Sequence, residues 1–504
     1  MRILTYVFAA LALAMPRVWA QVPVFGAKPP PTLDLGLPRS EPAPLPDLGD
    51  ASSSVLSPLM ERKLGESVMR DIRYGDPAFV DDPEVNEYLN SLGYKLVTAI
   101  PGARLDFEFF AVRDPSINAF ALPGGFVGVH TGLLTSADSE SEVASVLAHE
   151  VTHVTQRHIA RQVGAAQKMQ VPAMIALAAA LLAARSRPDL ASGAAMAAQG
   201  AAIQGQLSYS RDFEREADRI GFTTLQAAGF DVRGMPAFFE KLQRYTRISD
   251  DGKAPGYLRS HPLTADRIAD AQNRAQNAPY RQHADSIEFH LVRAKLRAET
   301  GDPREAVTYF RSVLQERRFA NETAARFGYA VALLRDKQVP QARAETEKLR
   351  AGSIRNPMID SLHARVLQGG GDRVAAIAFL KDATVRYTYS RPLMYAYIGA
   401  LLESAQHEAA LALLKDQLRL YPGSPDLLAM QAKAYGAVGK RLLQHQAQAE
   451  VYLLHGNLPA SMEQLVLAQN AGDGNFYELS AVEARLKELR ARVAAEANPA
   501  GQKR

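Results

Sequence analysis

The stretch Glu140-Ser141-Glu142-Val143-Ala144-Ser145-Val146-Leu147-Ala148-His149-Glu150-Val151-Thr152-His153-Val154 carries the decision about the fold. It contains no Gly or Pro, and Asp138, Glu140 and Glu142 put negative charge where a helix presents its free N–H groups. A helix from Ser139 to about Arg161 is predicted. At about 100° per residue, His149 and His153 fall roughly 40° apart, so both imidazoles can reach one metal ion. Val143, Leu147, Val151 and Val154 form an apolar stripe roughly 100° or more away, which faces a core. Glu150 lies between those faces. A carboxylate there is placed to take a proton from water on the metal rather than to bind the ion, the arrangement of a helix-borne zinc peptidase motif.

A catalytic zinc needs a third protein ligand and an open fourth position. On a continuous helix His158 lies about 180° from His149, so it is excluded as a ligand and read as structural. Better donors stand in Ser208-Tyr209-Ser210-Arg211-Asp212-Phe213-Glu214-Arg215-Glu216-Ala217-Asp218. Glu214 and Asp218 share a helix face, and Asp212 and Glu216 point elsewhere. Ser210, Ala217 and Gly221, with Ser145 and Ala148 opposite, leave room for two helices to approach closely. Glu214 is the expected third ligand, and Asp218 the expected hydrogen-bond acceptor for a ligating histidine. The competing reading is a solvated Glu-Arg-Glu charge face. His261-Pro262, followed by Arg267, reads either as a loop histidine near the metal or as a plain helix-start loop.

The rest of the chain frames this centre. Its 504 residues suggest two or three domains. Arg2, the apolar run Ile3–Met15 and the small residues before Gln21 read as a secretory signal peptide over 1–20. There are no cysteines, so disulfides, a thiol nucleophile and a cysteine-borne lipid are all excluded. A soluble, non-lipidated protein of a bacterial periplasm fits best. The net charge of +4 and the lack of a dense basic block give no support to nucleic-acid binding. Residues 21–57 are Pro-rich and read as a linker or disordered arm.

Over 58–278 the pattern is mixed. Helices are expected at Met60–Tyr74 and Pro83–Ala99, a strand at 106–112, and a hairpin over 118–130 turning at Pro123-Gly124-Gly125. Further helices are expected near 207–228, 234–245 and 263–276. The apolar run 171–184 is shorter than the ~20 residues of a membrane span and would suit a buried hairpin or a peripheral contact with a membrane surface. Over 283–495 the pattern is helical. Ala306, Ala342, Ala376 and Ala410 recur about every 34–36 residues, the tetratricopeptide period, with an irregular helical bundle as the alternative.

Together the run Asn118–Gly125, the histidine motif, Glu214 to Asp218, and His261-Pro262 with Arg267 resemble the M48 family of zinc peptidases. The resemblance implies an α+β, mostly helical gluzincin-type metallopeptidase domain with a small sheet, followed by an all-α tetratricopeptide-like solenoid. It implies one zinc per chain on His149, His153 and Glu214, with Glu150 activating water and Asp218 orienting a ligand. It gives His261 one of two roles, plugging the open zinc position or stabilising the tetrahedral intermediate, and brings Arg267 into the site. With a signal peptide and repeats, the resemblance is to periplasmic members that act on stalled outer-membrane proteins and contact the barrel-assembly machinery through the repeats. The strand Phe126-Val127-Gly128-Val129 is expected to offer an edge for an extended substrate. The rival expectation is a chaperone-like scaffold with a latent or structural zinc site.

Overall fold

The computed structural model describes residues 56–103, 106–165, 210–248 and 256–497. The signal peptide, most of the Pro-rich arm, the apolar run 171–184 and Ser208-Tyr209 lie outside the described residues.

The first two helices start on side-chain caps. Ser57 Oγ accepts the Met60 N–H ahead of α1 (Pro58–Gly75), and Asp82 accepts those of Glu84 and Val85 ahead of α2 (Pro83–Val97). Both place Pro in the first turn, where its missing N–H costs nothing. A three-stranded sheet follows, with β1 (Glu108–Val112), β2 (Ala119–Leu122) and β3 (Phe126–His130). The β2–β3 hairpin turns at Gly124 and Gly125, with φ of +79° and +103°. A Cβ on Gly124 would lie 2.5 Å from the Arg62 Cα, so only glycine fits between the turn and α1.

The strand order is β1-β3-β2, with β3 parallel to β1 and antiparallel to β2. This corrects one expectation. Phe126, Val127, Gly128 and Val129 form no edge, because β3 is the central strand, paired on both sides and buried throughout. Local patterning shows the hairpin but not the long-range parallel partner. On its outer side β1 is covered: Asn90 of α2 bonds both the N–H and the C=O of Phe109, and Val80 donates to Ala111. Among the described residues, β2 is left as the open edge.

After the short α3 (Thr131–Ser136) comes α4 (Glu140–Thr155), capped by Ser139 and buried along almost its whole length. It stops six residues short of the predicted end. Arg157 takes φ +54° and the chain is helical again over 158–165, here α5. Two bonds hold that left-handed residue, from the Arg157 guanidinium to Glu61 Oε2 (2.9 Å) and to the Leu56 carbonyl (2.5 Å). Then come α6 (210–227), α7 (Gly234–Ile248), α8 (Gly256–Ser260) and α9 (Ala265–Asn277).

The remainder is helical: α10 (Ile287–Glu299), α11 (Pro303–Gln315), α12 (Glu322–Arg335), α13 (Val339–Ala351), α14 (Pro357–Gly369), α15 (Arg373–Arg386), α16 (Arg391–Glu403), α17 (His407–Leu420), α18 (Pro425–Ala437), α19 (Arg441–Leu454), α20 (Leu458–Gln469) and α21 (Phe476–Ala497). The even-numbered helices from α10 to α18 begin 34 or 35 residues apart, the tetratricopeptide period. Ala306, Ala342, Ala376 and Ala410 are each the fourth residue of the second helix of a pair, and all are buried. Small side chains there let paired helices close up.

The N-terminal half and the first repeats share one core, a buried cluster that runs from Val80 to Val366. Lys295 of α10 is buried between Asp82 (2.5 Å) and Glu84 (2.6 Å) of the N-terminal half. Glu140, at the start of α4, accepts bonds from the Ser286 N–H, the Ser286 hydroxyl and Tyr88, and its own N–H goes to Asp285. Farther on, the solenoid returns to α1, where His455 stacks on Tyr74.

Candidate metal centre

Helices α4 and α6 cross at small residues. A Cβ on Gly221 would come within 3.2 Å of the Ala148 carbonyl carbon and the His149 nitrogen, and Ala217 is fully buried. That closeness lets a carboxylate on α6 reach imidazoles on α4. His149 Nε2 and His153 Nε2 are 2.9 Å apart. Glu214 lies across from them, with Oε2 3.4 Å from His149 and Oε1 3.5 Å from His153. His261, just beyond α8, brings Nδ1 to 2.9 Å from Glu214 Oε1 and 3.3 Å from His149 Nε2. One ligand atom from each of these four residues falls within 4.8 Å of the others.

The donor set suits zinc. Two imidazoles and a carboxylate supply the nitrogen and oxygen ligands of a catalytic site. Glu150 is fully buried beside them, and both its carboxylate oxygens lack a hydrogen-bond partner. A carboxylate so placed requires something to accept from, such as a bound water or substrate. His261 Nε2 lies 3.5 Å from Glu150 Oε1.

The second layer is built from charge. Asp218 Oδ1 is 2.9 Å from His149 Nδ1, and Arg267 grips the same carboxylate with Nε at 2.6 Å and Nη2 at 2.8 Å. Arg267 Nη1 also lies 2.8 Å from Glu214 Oε2 and donates to the Pro262 carbonyl at 2.8 Å. One guanidinium therefore ties the His261 loop to both acidic residues of α6. Burial opposes charge on both carboxylates, yet His261 and His149 hold Glu214 well below the usual carboxylate range, and Arg267 and His149 lower Asp218.

The two histidines of α4 are driven apart. Burial lowers His149, but Asp218 and Glu214 outweigh it and push it up to about 10. Burial, with His149 and His261 beside it, holds His153 well below its ordinary value. A metal bound through His149 would displace the proton there, so its binding would release acid.

Residues 83–275 match peptidase family M48. Over 447 residues the chain is 32% identical to the beta-barrel assembly-enhancing protease of Yersinia pestis, covering 88% of this chain and 91% of that one. The chain belongs to peptidase family M48. The beta-barrel assembly-enhancing protease of Escherichia coli (strain K12) is 31% identical over 450 residues, 88% of this chain and 91% of that one. A Vibrio cholerae counterpart is 39% identical over 306 residues, which cover 60% of this chain and 63% of that protein.

In this M48 metallopeptidase, His149, Glu150, His153, Glu214, Asp218, His261 and Arg267 come together around one point, whereas Phe126–Val129 lie in the buried central strand. His158 needs a second correction. It stays out of the four-atom cluster, but not because it points across a continuous helix. The break at Arg157 turns it back, so that its Nδ1 sits 2.9 Å from His153 Nδ1. Burial pushes the His158 imidazole down to about 4. Tyr257 was missed by sequence reasoning altogether. Its ring stacks on His261 at 4.6 Å between centroids, and its N–H donates to the Ile117 carbonyl, just ahead of β2. No spacing in the chain signals either contact.

Proposed function

We propose that this M48 metallopeptidase is a zinc-dependent endopeptidase whose single zinc ion is held by His149, His153 and Glu214. When bound, zinc lowers the pKa of a water to about 7 and polarises a peptide carbonyl. The observation that carries the reading is the buried, unpartnered Glu150 carboxylate beside the ligand cluster. Glu150 accepts the proton of the attacking water and passes it to the leaving amine. Asp218 fixes the His149 tautomer through Nδ1, and Arg267 holds Asp218. An extended substrate would pair with β2, since β3 has no free edge.

His261 supports a latent resting state. Its imidazole lies against both Glu214 and Glu150, and α8 just before it pairs Tyr257 with the chain leading into β2. A substrate would need the His261 loop to withdraw. By likeness to the beta-barrel assembly-enhancing proteases, the substrates are unfolded or stalled outer-membrane proteins, and the repeats engage the barrel-assembly machinery. The signal-like sequence of residues 1–20 supports a periplasmic location, and the apolar sequence of 171–184 supports a peripheral membrane contact.

Cleavage of an unfolded outer-membrane protein tests the core of this. Glu150→Gln is expected to abolish cleavage while zinc content, read by atomic emission, stays at one per chain. Undiminished cleavage would remove Glu150 from the mechanism. His261→Ala is expected to raise cleavage; its loss would assign His261 to catalysis instead.

A further inference from the structure

Each histidine of the zinc motif has a second ring nitrogen, and the two are held differently. His149 Nδ1 faces the carboxylate of Asp218. Among the described residues, His153 Nδ1 faces no carboxylate. It meets His158 Nδ1 at 2.9 Å, and His158 Nε2 lies 3.3 Å from Glu216 Oε2, which also accepts from Arg161 Nη1 at 2.9 Å. His158 is 3% exposed and its ring is stacked on Phe213, 4.4 Å between centroids at 14°, so it has little freedom to turn.

We infer that His158 and Glu216 form a relay that orients the metal ligand His153. This rests on the reading of His149, His153 and Glu214 as the zinc ligands. Only one proton arrangement satisfies the chain. With His153 Nε2 turned to the cluster as a lone pair, its Nδ1 carries the hydrogen and must donate. His158 Nδ1 then accepts, so the His158 proton sits on Nε2 and is donated to Glu216. Arg161 keeps Glu216 in place. The negative charge at the far end makes His153 a stronger donor to the metal through a neutral ring. The break at Arg157 is what makes this geometry available, since a continuous helix carries His158 to the opposite face.

His158 and Glu216 touch neither substrate nor metal, so they are positioning residues. The test compares zinc dissociation constants, by chelator competition on the full chain, and the visible spectrum of the cobalt-substituted protein. His158→Phe removes the acceptor, fills the space and should weaken zinc binding roughly 10–100-fold, with a changed cobalt spectrum. His158→Gln can accept from His153 through its amide oxygen and donate to Glu216, and is expected to restore most of the affinity. Should His158→Phe not fold, judged by melting of the metal-free chain, Glu216→Ala at the relay's more exposed end is expected to weaken zinc in the same direction. Affinity and spectrum unchanged in the folded His158→Phe, or affinity unchanged in Glu216→Ala in its place, would overturn the relay. His153→Ala is the control: if it binds zinc normally, the ligand reading fails and the relay with it. If it loses zinc while the relay variants do not, only the relay fails.

Discussion

Arg267 sits 4% exposed among groups that would otherwise be uncompensated. Its guanidinium spans Asp218, Glu214 and the Pro262 carbonyl. Removing one partner of such a buried network leaves the other charges unpaired, which costs about 3–5 kcal/mol. Arg267→Gln is therefore expected to lower the unfolding free energy of the metal-free protein by about that amount, measured in urea. A loss under 1 kcal/mol would mean that Asp218 and Glu214 find other partners. At this scale the chain was easy to read where chemistry follows spacing. His149, Glu150 and His153 are fixed by helical period, and Glu214 and Asp218 by a four-residue step. Arg267 and His261 were visible only as residues near the right motif, because their approach depends on a loop whose path no period encodes. Glu216, two residues from Glu214, was read as facing away. It does face away from the metal, but toward His158 rather than only to water.

Between helices, the closeness of α4 and α6 depends on Gly221. The atoms a side chain would meet there are backbone, which cannot move aside as a side chain can. Gly221→Val is expected to push α6 outward, with an overpacking cost of about 1–3 kcal/mol. Because Glu214 rides on α6 and the histidines on α4, zinc affinity should fall by roughly tenfold or more if about 1.4 kcal/mol of that strain is relieved by retreat of α6. Chelator competition reads this directly, and unchanged affinity would show that α6 bends instead. The small residues at the crossing were legible, as was the helix around the motif. Its end was not: residues 155–161 carry no Gly or Pro. The left-handed turn at Arg157 is held by α1, nearly a hundred residues earlier in the chain. The edge role expected of Phe126–Val129 failed for the same reason, since the partner that makes β3 central lies outside the hairpin.

For the molecule as a whole, the crevice between α2 and the repeats holds Glu87, with Glu84, Glu288 and Tyr389 around it. Burial pushes the Glu87 carboxyl up to about 7, from 4.5, although Arg391 opposes the shift. Between those two values the folded chain binds more protons than the unfolded one, so this residue's contribution to stability falls as pH rises. Below pH 4.5 both states are protonated and the contribution is constant. The Tm of Glu87→Gln, relative to the unmodified chain, should accordingly climb from pH 4.5 to about 7 and then level off. A difference independent of pH would place the carboxylate in water.

The shared core has a consequence for how the protein comes apart. In sequence the mixed region ends at 278 and the helical region starts at 283, as if an array had been appended to an enzyme. Yet Phe289, Leu291 and Val292 are buried in the same cluster as Val143 and Leu147, and Glu140 is clamped to Ser286. A protease that cut the backbone at 279–282 would yield two polypeptides on a denaturing gel. In native size-exclusion chromatography they should elute together at the mass of the uncut chain. The enzyme and its repeats would be separable by covalent chemistry only on paper; their common interior would keep them one particle.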